Sequence, residues 1–244
     1  MNKEVLHYHL GTMDYLQCWE FQEKLMQSII NVKLSNREKE IPEPTKNYLL
    51  TVEHPHVYTL GKSGKSNHLL VSEDFLKSIN ATFYKVNRGG DITYHGFGQL
   101  VVYPILDLEN FFTDIHRYVR NLEEVIIRVL NDYGIKGERS SGETGVWLDT
   151  HDIKKARKIC AIGVRSSRWV TMHGLAFNLN ADLKYFDYII PCGISDKKVT
   201  SLHLELGKKV DENEVLEKVL HYFEEVFECQ LTKKSSELKN LIFT

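Results

Sequence analysis

Arg88-Gly89-Gly90-Asp91-Ile92-Thr93-Tyr94-His95-Gly96-Phe97-Gly98-Gln99 sets four glycines, one arginine and one histidine within twelve residues, between two β-rich runs. A hairpin turn needs one or two glycines. Four point to a backbone that lies close to a ligand. No Gly-Lys-Ser/Thr follows at the Walker spacing, and no helix follows as a dinucleotide fingerprint requires. The plainer alternative is an irregular hairpin in which His95 is a structural hydrogen-bonding group.

Outward from this stretch, residues 82–87 and 100–106 are apolar and β-rich, so they predict strands, the second one buried. Residues 48–52 and 56–60 are further strand candidates, and 4–10 another, ending at Gly11. Residues 13–33 predict a helix on the stripe Leu16, Trp19, Leu25, Ile29 and Ile30. The polar run 34–47 holds two prolines and predicts a loop. Ser72 is placed to cap a short helix to residue 79. Residues 114–133 carry Ile115, Val119, Leu122, Ile126 and Leu130 on one side, with Gly134 as the stop. Short strand-like runs follow at GVWL (145–148), KICAIGV (158–164) and WVTMHGLAFNL (169–179). Asp211 and Glu214 make a capping-box-like start for a helix to about residue 227. Interleaved strands and helices with hairpin-like clusters predict an α/β (α+β) fold, a mixed β-sheet flanked by helices.

Composition narrows the function. The chain has 244 residues, 42% apolar and 26% charged, with net charge −2. That length suits one large domain with a sizeable core. The balance argues against a generic nucleic-acid binder. No apolar run approaches the roughly 18 residues of a spanning helix, and the start lacks the apolar core of a signal peptide. A reducing cytosol is the expected compartment.

Cys18, Cys160, Cys192 and Cys229 are far apart and form no CxxC pair, which argues against a zinc knuckle. Cys192 lies between Pro191 and Gly193, after the apolar run 188–190, and so on a turn. Cys160 sits in an apolar strand-like run, and Cys18 and Cys229 in helical patterns, where thiols are inert packing. A nucleophilic cysteine must be a thiolate, and its ordinary pKa of about 8.5 leaves little of it at neutral pH. His95, His173, Lys158 and Arg88 are the available bases or cations; the residues alone leave open which of them meets Cys192. His54 and His56 flank a proline and read as structural; His7 and His9 share one strand face and read as surface or sheet residues. Residues 154–168 hold six basic side chains and no acidic one, either a solvated strand edge or a dock for an acidic partner.

The run RGGDITYHGFGQLVVYPILDL, from Arg88, resembles the signature of the lipoyl(octanoyl)transferases. EHPHVYTLGKSG (from Glu53), GVWL, KICAIGVR (from Lys158), HGLAFNLN (from His173) and PCGI (from Pro191) follow that family's motifs, spanning roughly residues 4–225. Phe97 departs from a proline common in the family, and Asp91 stands where members vary.

The resemblance implies one catalytic domain over 1–244, with a fold like that shared by biotin and lipoate protein ligases. It implies an acyltransferase that moves an octanoyl group from octanoyl-acyl carrier protein to a lysine of a lipoyl domain, the first step of endogenous protein lipoylation. The implied acceptors are lipoyl domains of 2-oxoacid dehydrogenase acyltransferase subunits and the glycine cleavage H protein. Neither a cofactor nor a metal is expected, nor a nucleic-acid or membrane partner. By the same resemblance Cys192 matches the acyl-thioester nucleophile and Lys158 the lysine that lowers its pKa. The substrate-binding stretches match Arg88, Gly89, Gly90, Asp91, Ile92, Thr93, Tyr94 and His95; Ala161, Ile162 and Gly163; and Gly174, Leu175 and Ala176. His173 is a supporting residue. Tyr94, Phe97, Leu175 and Phe177 are candidates to line an apolar slot. The competing readings are an ATP-dependent lipoate or biotin protein ligase, a cysteine amidotransferase that moves lipoyl groups between proteins, and a non-catalytic module of the same fold.

Overall fold

The computed structural model describes residues 1–190 and 198–234. In chain order it runs β1 (Glu4–Thr12), α1 (Tyr15–Ser35), β2 (Tyr48–Glu53), β3 (Val57–Leu60), α2 (Glu73–Ser78), β4 (Thr82–Lys85), β5 (Ile92–His95) and β6 (Gln99–Ile105). Then come α3 (Ile115–Asp132), β7 (Glu138–Ser140), β8 (Glu143–Leu148), β9 (Arg157–Ser167), β10 (Val170–Asn178), β11 (Lys198–Val199), α4 (Leu202–Leu206), α5 (Glu212–Phe227) and β12 (Gln230–Lys233).

The main sheet has the order β12-β1-β2-β6-β10-β9-β8-β7, with β11 beside β9; a smaller sheet has the order β4-β3-β5. Pairing is parallel for β1 with β2 and β12 and for β9 with β11, and antiparallel elsewhere in the main sheet, so the sheet is mixed. Alternation along each central strand feeds two cores. Leu100 and Val102 of β6, with Leu175 and Phe177 of β10, meet Leu122, Ile126, Val215 and Val219 of α3 and α5. Val101, Tyr103 and Ile105, with Met172 and Ala176, meet Phe21, Met26, Ile29 and Ile30 of α1.

Helix ends follow their side chains. Asp14 accepts hydrogen bonds from the Leu16 and Gln17 amides, which starts α1 at Tyr15, two residues later than the expected range 13–33. Ser72, Asp114 and Asp211 cap α2, α3 and α5. Gly134 follows α3 at φ +71°. Three features differ from the sequence reading. Residues 92–95 form a strand inside the glycine-rich stretch and pair with β3. Gln230–Lys233 adds a parallel edge strand to β1. Leu202–Leu206 is a short helix with no pattern of its own.

Glu123 ties α3 to the strand edge next to the site. Its carboxylate is fully buried and accepts from Arg120 at 2.6 Å, Arg139 at 3.2 Å and the Gly145 amide at 3.1 Å. Removing it strands the buried Gly145 N–H, while Arg120 and Arg139 stay half-exposed and Arg139 keeps Glu124. Glu123→Ala is expected to lower unfolding stability by about 1–3 kcal/mol in urea titrations; a loss under about 0.5 kcal/mol shows that this anchor is dispensable.

Candidate functional site

The β9–β10 hairpin pairs Ala161 with Ala176 and Gly163 with Gly174. Cross-strand partners share a face, so these two alternate pairs put four small residues on the same side. Neighbours crowd the glycines. A Cβ on Gly174 would stand 2.1 Å from the Val102 carbonyl oxygen, and one on Gly163 would stand 3.1 Å from both Arg88 Cδ and the Gly89 oxygen.

The glycine-rich stretch crosses this floor. The Gly89 amide donates to the Val164 carbonyl at 2.9 Å, on the edge of β9 that β8 has left. Arg88 is buried; its guanidinium donates to the Gly89 and Thr59 carbonyls and to Thr59 Oγ1 at 2.7–2.9 Å. That fixes the loop to β3. Asp91 holds His68 Nδ1 at 2.7 Å and caps its own loop through the Ile92 amide.

Between floor and loop lies a cavity of about 420 Å³, lined by residues 88–95, Lys158, 161–164 and 173–176. That volume is in the ordinary range for small-molecule sites. Thus the structure brings the expected substrate-binding stretches, His173 and Lys158 together around one space; residues 53–64 and 145–148 are not in its lining, and Cys192 lies outside the described residues. Gln99 and Tyr103, both within the run that carries the family resemblance, also line it, and so do Tyr15 and Phe186, which reach the cavity through tertiary packing and carry no local motif. Of the four aromatic and aliphatic lining candidates, Tyr94 and Leu175 are in the wall. Phe177 is instead fully buried among α3 and α5, and Phe97 is 49% exposed with its edge on His56.

Lys158 sits opposite Trp147, its Nζ 4.6 Å from the ring centroid of that residue. Its carbonyl accepts from the Thr200 amide at 2.9 Å, and Val199 is its neighbour on β11.

A cluster of neutral histidines backs the other end. His54 donates Nδ1–H to the Met13 carbonyl at 2.7 Å, so its Nε2 accepts from the Tyr103 hydroxyl at 2.9 Å. Burial pushes its pKa down to about 4. The His95 ring stacks on Tyr15 at 5.9 Å, and burial, with His54 and Arg88 beside it, holds its pKa well below the usual range. Burial pushes His173 down to about 3, helped by Arg88 and Arg165. Of the two places expected for His7, surface or sheet, the structure has it buried in the sheet against Thr51 Oγ1, and His56 stacks on Tyr185 at 4.2 Å.

The basic stretch 154–168 is less open than its sequence suggests. Arg157 is bidentate on Glu205 and also paired with Asp149; Arg165 is paired with Glu23. The thiols of Cys18 and Cys229 are pushed up to about 12 by burial, and that of Cys160 is raised by the same cause.

Residues 14–224 match the family model of the lipoyl protein ligase A/B catalytic domain. The chain belongs to that family. An octanoyltransferase of Christiangramia forsetii is 61% identical over 232 residues, which cover 95% of this chain and 99% of the relative. Among solved structures, a bi-partite lipoate protein ligase from Thermoplasma acidophilum superposes with a TM-score of 0.66 at 16% identity, covering 100% of this chain and 91% of that one. A biotin protein ligase from Aquifex aeolicus in complex with biotin and ATP gives 0.50 at 16% identity, covering 93% and 71%. The ligase-like architecture expected from the sequence is therefore the fold of this family member.

The buried histidines set an acid limit. Folded pKa values of about 4 for His54 and about 3 for His173 lie below the usual 6.5. The unfolded chain therefore binds more protons, and stability present above pH 6.5 is lost as pH falls toward 4. Each histidine contributes a slope of up to about 1.4 kcal/mol per pH unit. Urea midpoints are expected to drop clearly between pH 7.5 and 5; equal midpoints contradict neutral burial of these rings.

Proposed function

We propose that this protein is an octanoyltransferase that moves an octanoyl group from an acyl carrier protein thioester to a lysine of lipoyl domains, through a thioester on Cys192. One observation carries the reading: 61% identity to a protein named octanoyltransferase, over 95% of the chain. The cavity supports it. Its floor has no side chain longer than a methyl group at 161, 163, 174 and 176, and Tyr94 and Leu175 stand in its walls. Burying the seven apolar carbons of an octanoyl chain is worth about 5 kcal/mol before any ordering cost.

In this reading Lys158 holds the Cys192 thiolate as an ion pair and then exchanges protons with the leaving thiol and the incoming amine. Two features favour that pair. The described cysteines are all kept as thiols by burial, so none of them supplies a ready thiolate. The chain also re-enters the described structure at Lys198 and Val199, paired with Arg157 and Lys158. The first transfer exchanges one thioester for another and is nearly balanced; the second forms an amide and runs downhill. Neither needs ATP. Backbone N–H groups of the glycine-rich stretch are suited to the tetrahedral oxyanion. As one catalytic domain acting in the cytoplasm, the enzyme would take 2-oxoacid dehydrogenase lipoyl domains and the glycine cleavage H protein as acceptors. Among the described residues no helix is long and apolar enough to cross a membrane.

Intact-mass spectrometry after mixing with octanoyl carrier protein is the test. The expected result is one octanoyl group added to the protein, absent in Cys192→Ala and discharged by a lipoyl domain without ATP. Transfer at an undiminished rate by Cys192→Ala, or a strict need for ATP, overturns the reading. Lys158→Ala is expected to move the pH profile of Cys192 alkylation upward.

A further inference from the structure

Lys158 lines the cavity although plain strand alternation would turn it away. On β9, Cys160 is buried in the core under α3 and α5, and Ile162 and Val164 pack against the same core. Alternation from these residues puts Lys158 on the core face. Yet Lys158 faces the cavity together with Ala161 and Gly163. The register explains the change of side. Val146 pairs with Cys160 and Trp147 with Lys158, so one step along β8 matches two along β9. Ile159 is the extra residue of a β-bulge, itself fully buried in the core beside Cys160. A bulge re-aims the side chains beyond it, and this one moves Lys158 onto the cavity face.

Two positions on β8 receive the re-aimed lysine. Val146 and Leu148 belong to the core, so Gly145 and Trp147 lie on the other face. Gly145 stands at φ +120°, and a Cβ there would lie 2.6 Å from the Cys160 carbonyl oxygen and 3.5 Å from both Cδ and Cε of Lys158. Its N–H donates to the buried Glu123 carboxylate at 3.1 Å, which ties this corner to α3. Trp147 is 2% exposed, and the Lys158 ammonium lies over its ring, 4.6 Å from the centroid. That is within cation–π reach. The stem of Lys158 thus passes Gly145, and its charge rests on the face of a fixed indole. A ring face holds a cation without fixing the direction of its N–H groups. That suits a lysine that must serve first a thiolate and then an amine.

We propose that Trp147 is a positioning residue for acyl transfer: its ring holds the Lys158 ammonium on the cavity face that the β8–β9 bulge gives it. This rests on the reading in which Lys158 serves the Cys192 thiolate. Trp147 itself does not line the cavity, so it acts through Lys158.

The test compares Trp147→Phe and Trp147→Leu with the wild type and Lys158→Ala. It reads kcat and KM for transfer from octanoyl carrier protein to a lipoyl domain, and the pH profile of Cys192 alkylation. Phenylalanine keeps a ring face; leucine keeps only apolar bulk. Trp147→Leu should lower kcat at least about tenfold with KM changed less than about twofold, and should move the alkylation profile upward in pH as Lys158→Ala does. Trp147→Phe should keep kcat within about threefold of the wild type. A wild-type kcat and profile in Trp147→Leu overturn the role, and so does equal impairment of the two variants, which would mark packing only. If Lys158→Ala itself keeps the wild-type rate and profile, the lysine reading fails and this inference fails with it. If Lys158→Ala loses both and Trp147→Leu neither, the lysine reading stands and Trp147 alone is refuted. Should Trp147→Leu fail to fold, fluorinated tryptophan at position 147 decides. Fluorine keeps the shape of the ring but drains its negative face, so kcat should fall stepwise with added fluorines, and a flat series overturns the proposal.

Discussion

Two alternate cross-strand pairs in the β9–β10 hairpin, Ala161 with Ala176 and Gly163 with Gly174, set the shape of everything around them. No side chain longer than a methyl group projects from these four positions over the width of two strands, which leaves room for Arg88 and Gly89 to approach at Gly163. Larger residues at the intervening register, Ile162 opposite Leu175, pack toward the core under α3 and α5 and also border the cavity. A one-residue slip of the register would exchange the two sets, filling the cavity and emptying the core.

The glycine-rich loop depends on that floor. Gly163 lets Arg88 and Gly89 approach the strand, and Gly89 completes the hydrogen bonding of Val164. Arg88 then has two consequences. Its hydrogen bonds to Thr59 and Gly89 hold the loop, and its charge helps to keep His95 and His173 neutral. A buried cation beside the uncharged rings of His95 and His173 makes that part of the cavity polar, and Lys158 lines the same space.

Much of this was legible from residue order. The apolar run 100–106 gave a strand buried on both faces, and the spacing of Ile115 to Leu130 gave α3, because both patterns are local consequences of burial. The crowding of glycines at 88–98 pointed to a backbone that lies close to a ligand, and the structure lines the cavity with Arg88–His95 of that stretch. The strand Ile92–His95 within it was hidden by the same glycines, whose density reads as loop. The pairing of Gln230–Lys233 with β1 joins opposite ends of the chain, and no local period announces such a contact. Tyr15 and Phe186 reach the cavity by packing, and Phe177, one residue from the floor, points into the core instead. The basic run 154–168 looked unopposed only because Asp149, Glu205 and Glu23 lie outside it.

The central claim is that the small-residue floor is the seat of the acyl chain. Its most direct test is the acyl chain-length profile of transfer, C4 to C12 thioesters, in the wild type and in Ala161→Leu, which adds a branched side chain to that floor. The account predicts a wild-type optimum at eight carbons that moves to shorter chains in the variant, with octanoyl kcat/KM down at least about tenfold. A variant that folds and keeps the wild-type profile would show that the acyl chain lies elsewhere.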